Sequence, residues 1–374
     1  MRDFSMTDPV SHIRRMQPDH PAIYFCPDVL QATAARFRAG FPGLVTYAVK
    51  ANDRPEVLAN LVAAGLEAFD VASPAEMEAV RRAAPDAALH YNNPVRSRVE
   101  IETARRHGVV SWSVDDAGEL EKIADAALGG EVAVRLKLPV KGAAYDFGSK
   151  FGVGPEEAAM LLRRVVELGL SPAITFHPGT QCADPAAWVS YIRASAQVAR
   201  KAGVRLARLN VGGGFPAHRD GGAPDLEGIF AAIGAAVRDS FGMEAPALVC
   251  EPGRAMVAEA FTLAVRVKSL RADGRVYLND GIYGGLSELR DIGPTDRLRV
   301  IAPDGAARTG AAQTRVVFGP TCDSLDRLPG GLSLPSDTEE GDYLVFAGMG
   351  AYSLAIATHF NGYGLGEPVT VARL

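Results

Sequence analysis

Short apolar runs rich in Val, Ile and aromatic residues recur along the first two thirds of the chain, and longer Ala/Leu/Arg/Glu-rich stretches with helical spacing separate them. The runs are LVTYAV (44–49), LEAFDV (66–71), ALHYNN (88–93), VVSWSV (109–114), EVAVRLKL (131–138), PAITFH (172–177), LARLNV (206–211) and ALVCE (247–251). The stretches between them predict helices over 54–64, 74–84, 96–107, 115–128, 154–169, 185–203 and 226–240. Ser73-Pro74-Ala75-Glu76 carries its own start signal, with Ser at the N-cap, Pro at the first helical position and Glu at the third. Asp184-Pro185 does much the same. Eight strands alternating with helices predict a parallel sheet closed into a (β/α)8 TIM-type barrel, with an open doubly wound sheet as the alternative.

The texture changes near residue 255. AFTLAVRVKSL, GRVYLND, RLRVIAP and TRVVFGP follow one another with Gly/Pro/Asp turns and little helix, which predicts a second, mostly antiparallel β domain. The expected division is a barrel over 22–254 and a β domain over 255–374, with residues 1–21 packing on the latter. An Ile-Tyr-Phe strand near 22–25 precedes the barrel and is a candidate for either.

Composition narrows the class. The chain has 374 residues, 48% hydrophobic and 22% charged, which is globular and large enough for one large and one smaller domain. A formal net charge of -5 disfavours a nucleic-acid partner, and the Arg pairs lie on helical patterns as solvated faces. Cys26, Cys182, Cys250 and Cys322 fit neither a zinc cluster nor a disulfide framework, so no metal is expected. The N-terminus lacks a secretory h-region and no apolar run is long enough to span a membrane, so the expectation is a cytoplasmic protein without a membrane partner.

Candidate chemistry gathers at strand ends, where a barrel keeps it. Strand one ends at Lys50, strand two at Asp70, strand six at His177 and strand eight at Glu251, while strand five carries Arg135. Strand seven runs into Gly212-Gly213-Gly214, and Glu251 opens Glu-Pro-Gly253-Arg254. Singly these have ordinary readings: a first solvated lysine, a helix cap, a tight turn. On one rim they point to a cofactor with an aldehyde, an electron-poor ring and a phosphate. Pyridoxal 5'-phosphate has all three: Lys50 suits the aldehyde, Glu251 the pyridine nitrogen, and the glycines with Arg254 the phosphate.

These residues sit in motifs that carry a resemblance. YAVKAN, FDVAS, KFGV, FHPGTQ, NVGGGFP, EPGR, GPTCDSLD, GAYS and FNGY, in that order, resemble the fold-type III pyridoxal-phosphate decarboxylases, the group of ornithine, diaminopimelate and biosynthetic arginine decarboxylases. The resemblance implies Lys50 as the Schiff-base lysine, Asp70 and Glu76 as acids near it, Arg135 behind the cofactor and His177 stacked on the ring. It implies Thr180, Gly213, Gly214, Gly253, Arg254 and Tyr352 around the phosphate, and Glu251 on the pyridinium. It further implies that a neighbouring subunit lends Cys322 as proton donor to the α-carbon and Asp323 as partner of the substrate's distal ammonium, hence a homodimer with shared sites. Phe360 matches an aromatic near the substrate.

The Cys-Asp pair implies a basic L-amino acid, L-ornithine first, yielding putrescine for polyamine synthesis. L-lysine, a shorter diamino acid, carboxynorspermidine and diaminopimelate remain alternatives. The second acid for a distal amine is left between Asp291, one place early against the family pattern, and Glu288. Racemisation is disfavoured by Glu251, and a silent regulatory paralogue by the retention of Lys50, Glu251, Cys322 and Asp323.

Overall fold

The computed structural model describes residues 7–139 and 150–374, in two compact units. The first unit, 33–216 and 224–255, holds a parallel sheet. Its neighbours in order are Leu44–Val45, Ala247–Cys250, Arg208–Asn210, Ser171–Thr175, Glu131–Arg135, Val109–Val114, Ala88–Tyr91, Ala68–Val71 and Tyr47–Ala48. The two ends of that order are one stretch of chain. Leu44–Val45 pairs with Ala247–Cys250, Tyr47–Ala48 pairs with Ala68–Val71, and the sheet therefore closes on itself as an eight-segment barrel. Closure pins Thr46 between the two pairings, where both its N–H and its hydroxyl donate to the Cys250 carbonyl oxygen.

The expected strand 44–49 is shorter in the structure. It stops at Ala48, and Lys50 lies in the 3-10 turn Val49–Ala51 that follows. The Tyr47 hydroxyl donates to Asn52 O at 2.9 Å and so bends the chain back under the turn. Helices follow the strands: Pro55–Ala63, Pro74–Ala83, Arg98–Arg106, Ala117–Ile123, Pro155–Glu167, Ala186–Ala202 and Leu226–Phe241. Local chemistry starts several of them. Ser73 accepts from Glu76 N ahead of Pro74, and Ser97 with Glu100 forms a reciprocal capping box. Phe37, Trp188, Phe215 and Phe230 pack ring against ring between helices and sheet.

The second unit comprises residues 7–32, 217–223 and 256–374 of the described chain. Its main sheet runs Leu298–Ile301, Tyr343–Ala347, Phe261–Leu270, Ala22–Phe25 and Val369–Thr370, antiparallel except at the last pairing. Ala22–Phe25, at the start of the range expected for the barrel, is hydrogen-bonded here instead, Ala22 opposite Ala264 and Phe25 opposite Phe261. Its stacked Phe25–Phe261 pair, centroids 4.7 Å apart, anchors that register. The helix Pro9–Met16 adds Ile13 to the core formed by Tyr24, Ala264, Ile301, Tyr343 and Val345. No helix among the described residues is long and apolar enough to cross a membrane.

Candidate active site

Lys50, Asp70, Arg135, His177 and Glu251 line one cavity of about 380 Å³ in the barrel unit, together with Asn92, Asn93, Lys150 and Phe151. Each of the five follows from a strand end or the turn just beyond it. Two contacts hold the Lys50 turn against the Glu251 loop: Ala48 N–H donates to Pro252 O at 3.3 Å, and Gly253 packs so closely that a Cβ there would stand 3.1 Å from the Ala51 Cβ.

The electrostatics are those of four charges in a confined space. Burial pushes Glu251 up to about 8, Asp70 pushes further in the same direction, and Asn210, Lys50 and Arg135 oppose it. Burial likewise raises Asp70, against Lys50, Asn92 and Arg135. Burial draws the Arg135 guanidinium down, while Glu251, Asp115 and Asp70 hold it up. Glu76, whose Oε2 accepts from Ala72 N at 2.7 Å, is raised to about 7, chiefly by burial. His177 is held well below its ordinary value by its enclosure and by Lys50 and Arg135. The Gly179 N–H points at its Nδ1 from 3.0 Å. An acceptor Nδ1 belongs to a neutral imidazole with its proton on Nε2, in agreement with that shift.

The glycine loop packs directly against this site. A Cβ on Gly213 would lie 2.7 Å from Glu251 O and 3.3 Å from His177 Nε2. Gly214 has φ +83°, and a Cβ there would stand 2.3 Å from Gly179 O. Only bare backbone fits, which is the requirement of a phosphate cradle. Arg254 is buried in the same unit, and Thr180 is half-buried in the loop after His177. An amine on the cavity wall, a buried acid, a neutral imidazole and a side-chain-free cradle are the donor set that pyridoxal phosphate calls for.

The remaining expected residues belong to the β unit, where Cys322, Asp323 and Phe360 gather around Tyr283 and Asn361. Asn361 Oδ1 accepts from Cys322 N at 3.1 Å and from Cys322 Sγ at 3.2 Å. The Tyr283 hydroxyl donates to Asp323 Oδ2 at 2.5 Å, which lowers Asp323, and its ring lies 5.1 Å from that of Phe360. Asp326 organises the turn beneath, accepting from Ile282 N, Thr321 N and the Thr321 hydroxyl. Of the two expected distal acids, Glu288 is buried 3.8 Å from Arg219, and exposed Asp291 is bonded to Arg290 at 2.9 Å. Tyr352 sits at φ 62° in a loop tied down by Gly350 N donating to Ala258 O.

Sequence reasoning missed several polar residues here, among them Asn92 and Asn210 in the barrel and Tyr283 and Asn361 in the β unit. The two barrel asparagines had a usable signal, since both stand at the ends of expected strands, in ALHYNN and LARLNV.

A family model described as pyridoxal-dependent decarboxylase, pyridoxal binding domain, matches residues 28–258. Ornithine decarboxylase of Mus musculus is 31% identical over 341 residues, spanning 85% of this chain and 73% of its own. Lysine/ornithine decarboxylase of Selenomonas ruminantium is 32% identical over 338 residues, 87% of this chain and 82% of that one. Among solved structures, lysine/ornithine decarboxylase of Vibrio vulnificus complexed with cadaverine superposes with a TM-score of 0.82 at 27% identity, covering 99% of this chain and 100% of that one.

Proposed function

The chain belongs to the pyridoxal-dependent decarboxylases, as a carboxy-lyase for a basic amino acid with pyridoxal 5'-phosphate as cofactor, and from that premise we propose that its substrate is L-ornithine and its product putrescine, in polyamine synthesis. The observation that carries the reading is the convergence of Lys50, Asp70, Arg135, His177 and Glu251 on one cavity. Bound pyridoxal phosphate supplies the sink for the electron pair released when the carboxylate leaves.

The chain's own residues do the rest. Lys50 would hold the cofactor through its amine, with Asp70 balancing the charge around Nζ and Arg135 backing the site. Neutral His177 would face the ring without adding a charge to it. Gly213, Gly214, Gly253, Thr180, Arg254 and Tyr352 take the phosphate, and Glu251 serves the pyridine nitrogen. Cys322 Sγ delivers the proton to the α-carbon. Asp323 takes the distal ammonium, with Phe360 beside it.

Cys322 and Asp323 act in the site of a partner subunit, which makes the enzyme a homodimer with shared sites, working in the cytoplasm. Asp323 carries the distal recognition, while Glu288 and Asp291 pair with Arg219 and Arg290. A single carboxylate also suits L-lysine, one methylene longer, and the Selenomonas relative's name pairs those two substrates.

The test is CO2 release by the cofactor-loaded protein from L-ornithine, L-lysine, L-arginine, 2,4-diaminobutyrate, meso-diaminopimelate and carboxynorspermidine. The highest kcat/KM is expected for ornithine. A preference for diaminopimelate or carboxynorspermidine would refute the distal-ammonium assignment.

A further inference from the structure

Two asparagine side chains, from strand ends far apart in sequence, reach one atom of Glu251. Asn92 Nδ2 donates to Glu251 Oε1 at 2.5 Å, and Asn210 Nδ2 donates to the same oxygen. Asn92 Nδ2 also donates to Asp70 Oδ1 at 3.0 Å. Asn210 is fixed in turn by the glycine loop, whose Gly212 N–H donates to its Oδ1 at 2.9 Å, while Glu251 N–H donates to Gly212 O at 2.9 Å. Asn92 Oδ1 is buried with no hydrogen-bond partner among the described residues, so the donor side alone orients this amide.

A carboxyl oxygen that carries the proton is a poorer acceptor than its bare partner, and two amide donors on one oxygen occupy its lone pairs. The doubly donated Oε1 is therefore disfavoured as the protonated oxygen of Glu251, and a proton is directed to Oε2. Resting on the reading that Glu251 serves the ring nitrogen, we propose that Asn92 and Asn210 are positioning residues that clamp Oε1 and so present Oε2 to the pyridine nitrogen of the cofactor.

The proton balance closes without another reactant. Burial and Asp70 hold Glu251 up to about 8, so the empty site carries a proton at neutral pH, on Oε2. With the cofactor bound, Glu251 would give up its Oε2 proton to the ring nitrogen, breaking the O–H bond as the N–H bond forms. Both amides then stabilise the carboxylate left behind through Oε1. The bond from Asn92 to Asp70 keeps the two mutually repelling carboxylates at a set separation. Through Asn210 and Gly212, the loop that cradles the phosphate and the acid that meets the ring nitrogen move as one piece.

The experiment has a readout on the apoprotein and one on the holoenzyme. Infrared difference spectra of apoprotein at mildly acidic pH, parent minus Glu251→Gln, identify the Glu251 carboxylic C=O band. In Asn92→Ala and Asn210→Ala that band is expected to move to higher wavenumber, because the carbonyl oxygen loses one of its two donors. In the holoenzymes kcat is expected to fall about 10- to 100-fold, the range for one lost hydrogen bond to a charged group, with KM changing less than about threefold. Asn92→Ser and Asn210→Ser serve where an alanine variant does not fold.

An unmoved band, or a moved band with kcat unchanged, overturns the clamp. If Glu251→Gln itself leaves kcat unchanged, the assignment of Glu251 to the ring nitrogen falls and the clamp with it. A large loss in Glu251→Gln with no effect in any asparagine variant overturns the clamp alone.

Discussion

Gly214→Ala adds one methyl group where the barrel unit has no room for it. Gly214 sits at φ +83°, and the new Cβ would stand 2.3 Å from the Gly179 carbonyl oxygen. The left-handed backbone costs alanine about 1–2 kcal/mol. The clash is with backbone, which no rotamer relieves, so the loop must shift at a further cost of about 1–3 kcal/mol. The apoprotein should therefore lose about 2–5 kcal/mol. For a unit of this size each kcal/mol moves Tm by about 2–4 °C, which gives a fall of roughly 4–20 °C. The shift also misaims the cradle's N–H groups, and each lost hydrogen bond to a charged phosphate weakens cofactor binding about 10- to 100-fold. Gly169→Ala is the control in the same unit: φ is +71°, nothing lies within 4 Å of the added Cβ, and only the backbone cost applies. Calorimetry of the apoproteins and titration with pyridoxal phosphate measure both quantities. A Gly214→Ala dissociation constant within about threefold of the parent, or a Tm loss no larger than that of Gly169→Ala, would refute the cradle.

Lys50→Ala should abolish turnover and the bound-cofactor absorption band with the far-UV circular dichroism unchanged; retained turnover would remove Lys50 from the chemistry. Mixed with Cys322→Ala subunits, it should regain partial activity, and silence in demonstrably mixed dimers would exclude shared sites. Tyr283→Phe releases Asp323 from its 2.5 Å hydrogen bond at a half-buried position, so KM for ornithine should rise about two- to fivefold with stability little altered. An unchanged KM would separate Asp323 from substrate recognition. Burial raises Glu76 from an ordinary 4.5 to about 7, so the stability tied to its proton is complete below about 4.5 and lost as pH rises through 7. Glu76→Gln should thus gain on the parent in denaturant midpoint as pH rises across that window, and parallel profiles would contradict the assignment.

Much of the barrel was written locally. Apolar runs, helical spacing and the cap at Ser73 are properties of a few adjacent residues, and each emerges in the structure close to its expected place. The strand-end logic carried Lys50, Asp70, Arg135, His177 and Glu251 to one cavity, because strands in a parallel barrel run the same way and share a rim. Pairing was not local. Ala22–Phe25 finds Phe261–Leu270 across most of the chain, and nothing in four apolar residues names that partner. Nor was the fate of individual charges legible. Glu288 and Asp291 both read as open acids, yet Arg219 and Arg290 engage them. Asn92 reads as one more polar residue at a strand end until barrel closure sets it against a carboxylate 159 residues away. The sequence by itself determined the elements, their order and the residues capable of chemistry, since these depend on side-chain pattern over short distances. Tertiary structure alone decided which oxygen of Glu251 is held, why burial and Asp70 push its carboxyl up, and which acids are already paired. Burial and Coulomb interaction are set by neighbours in space, and those exist only once the sheet has closed.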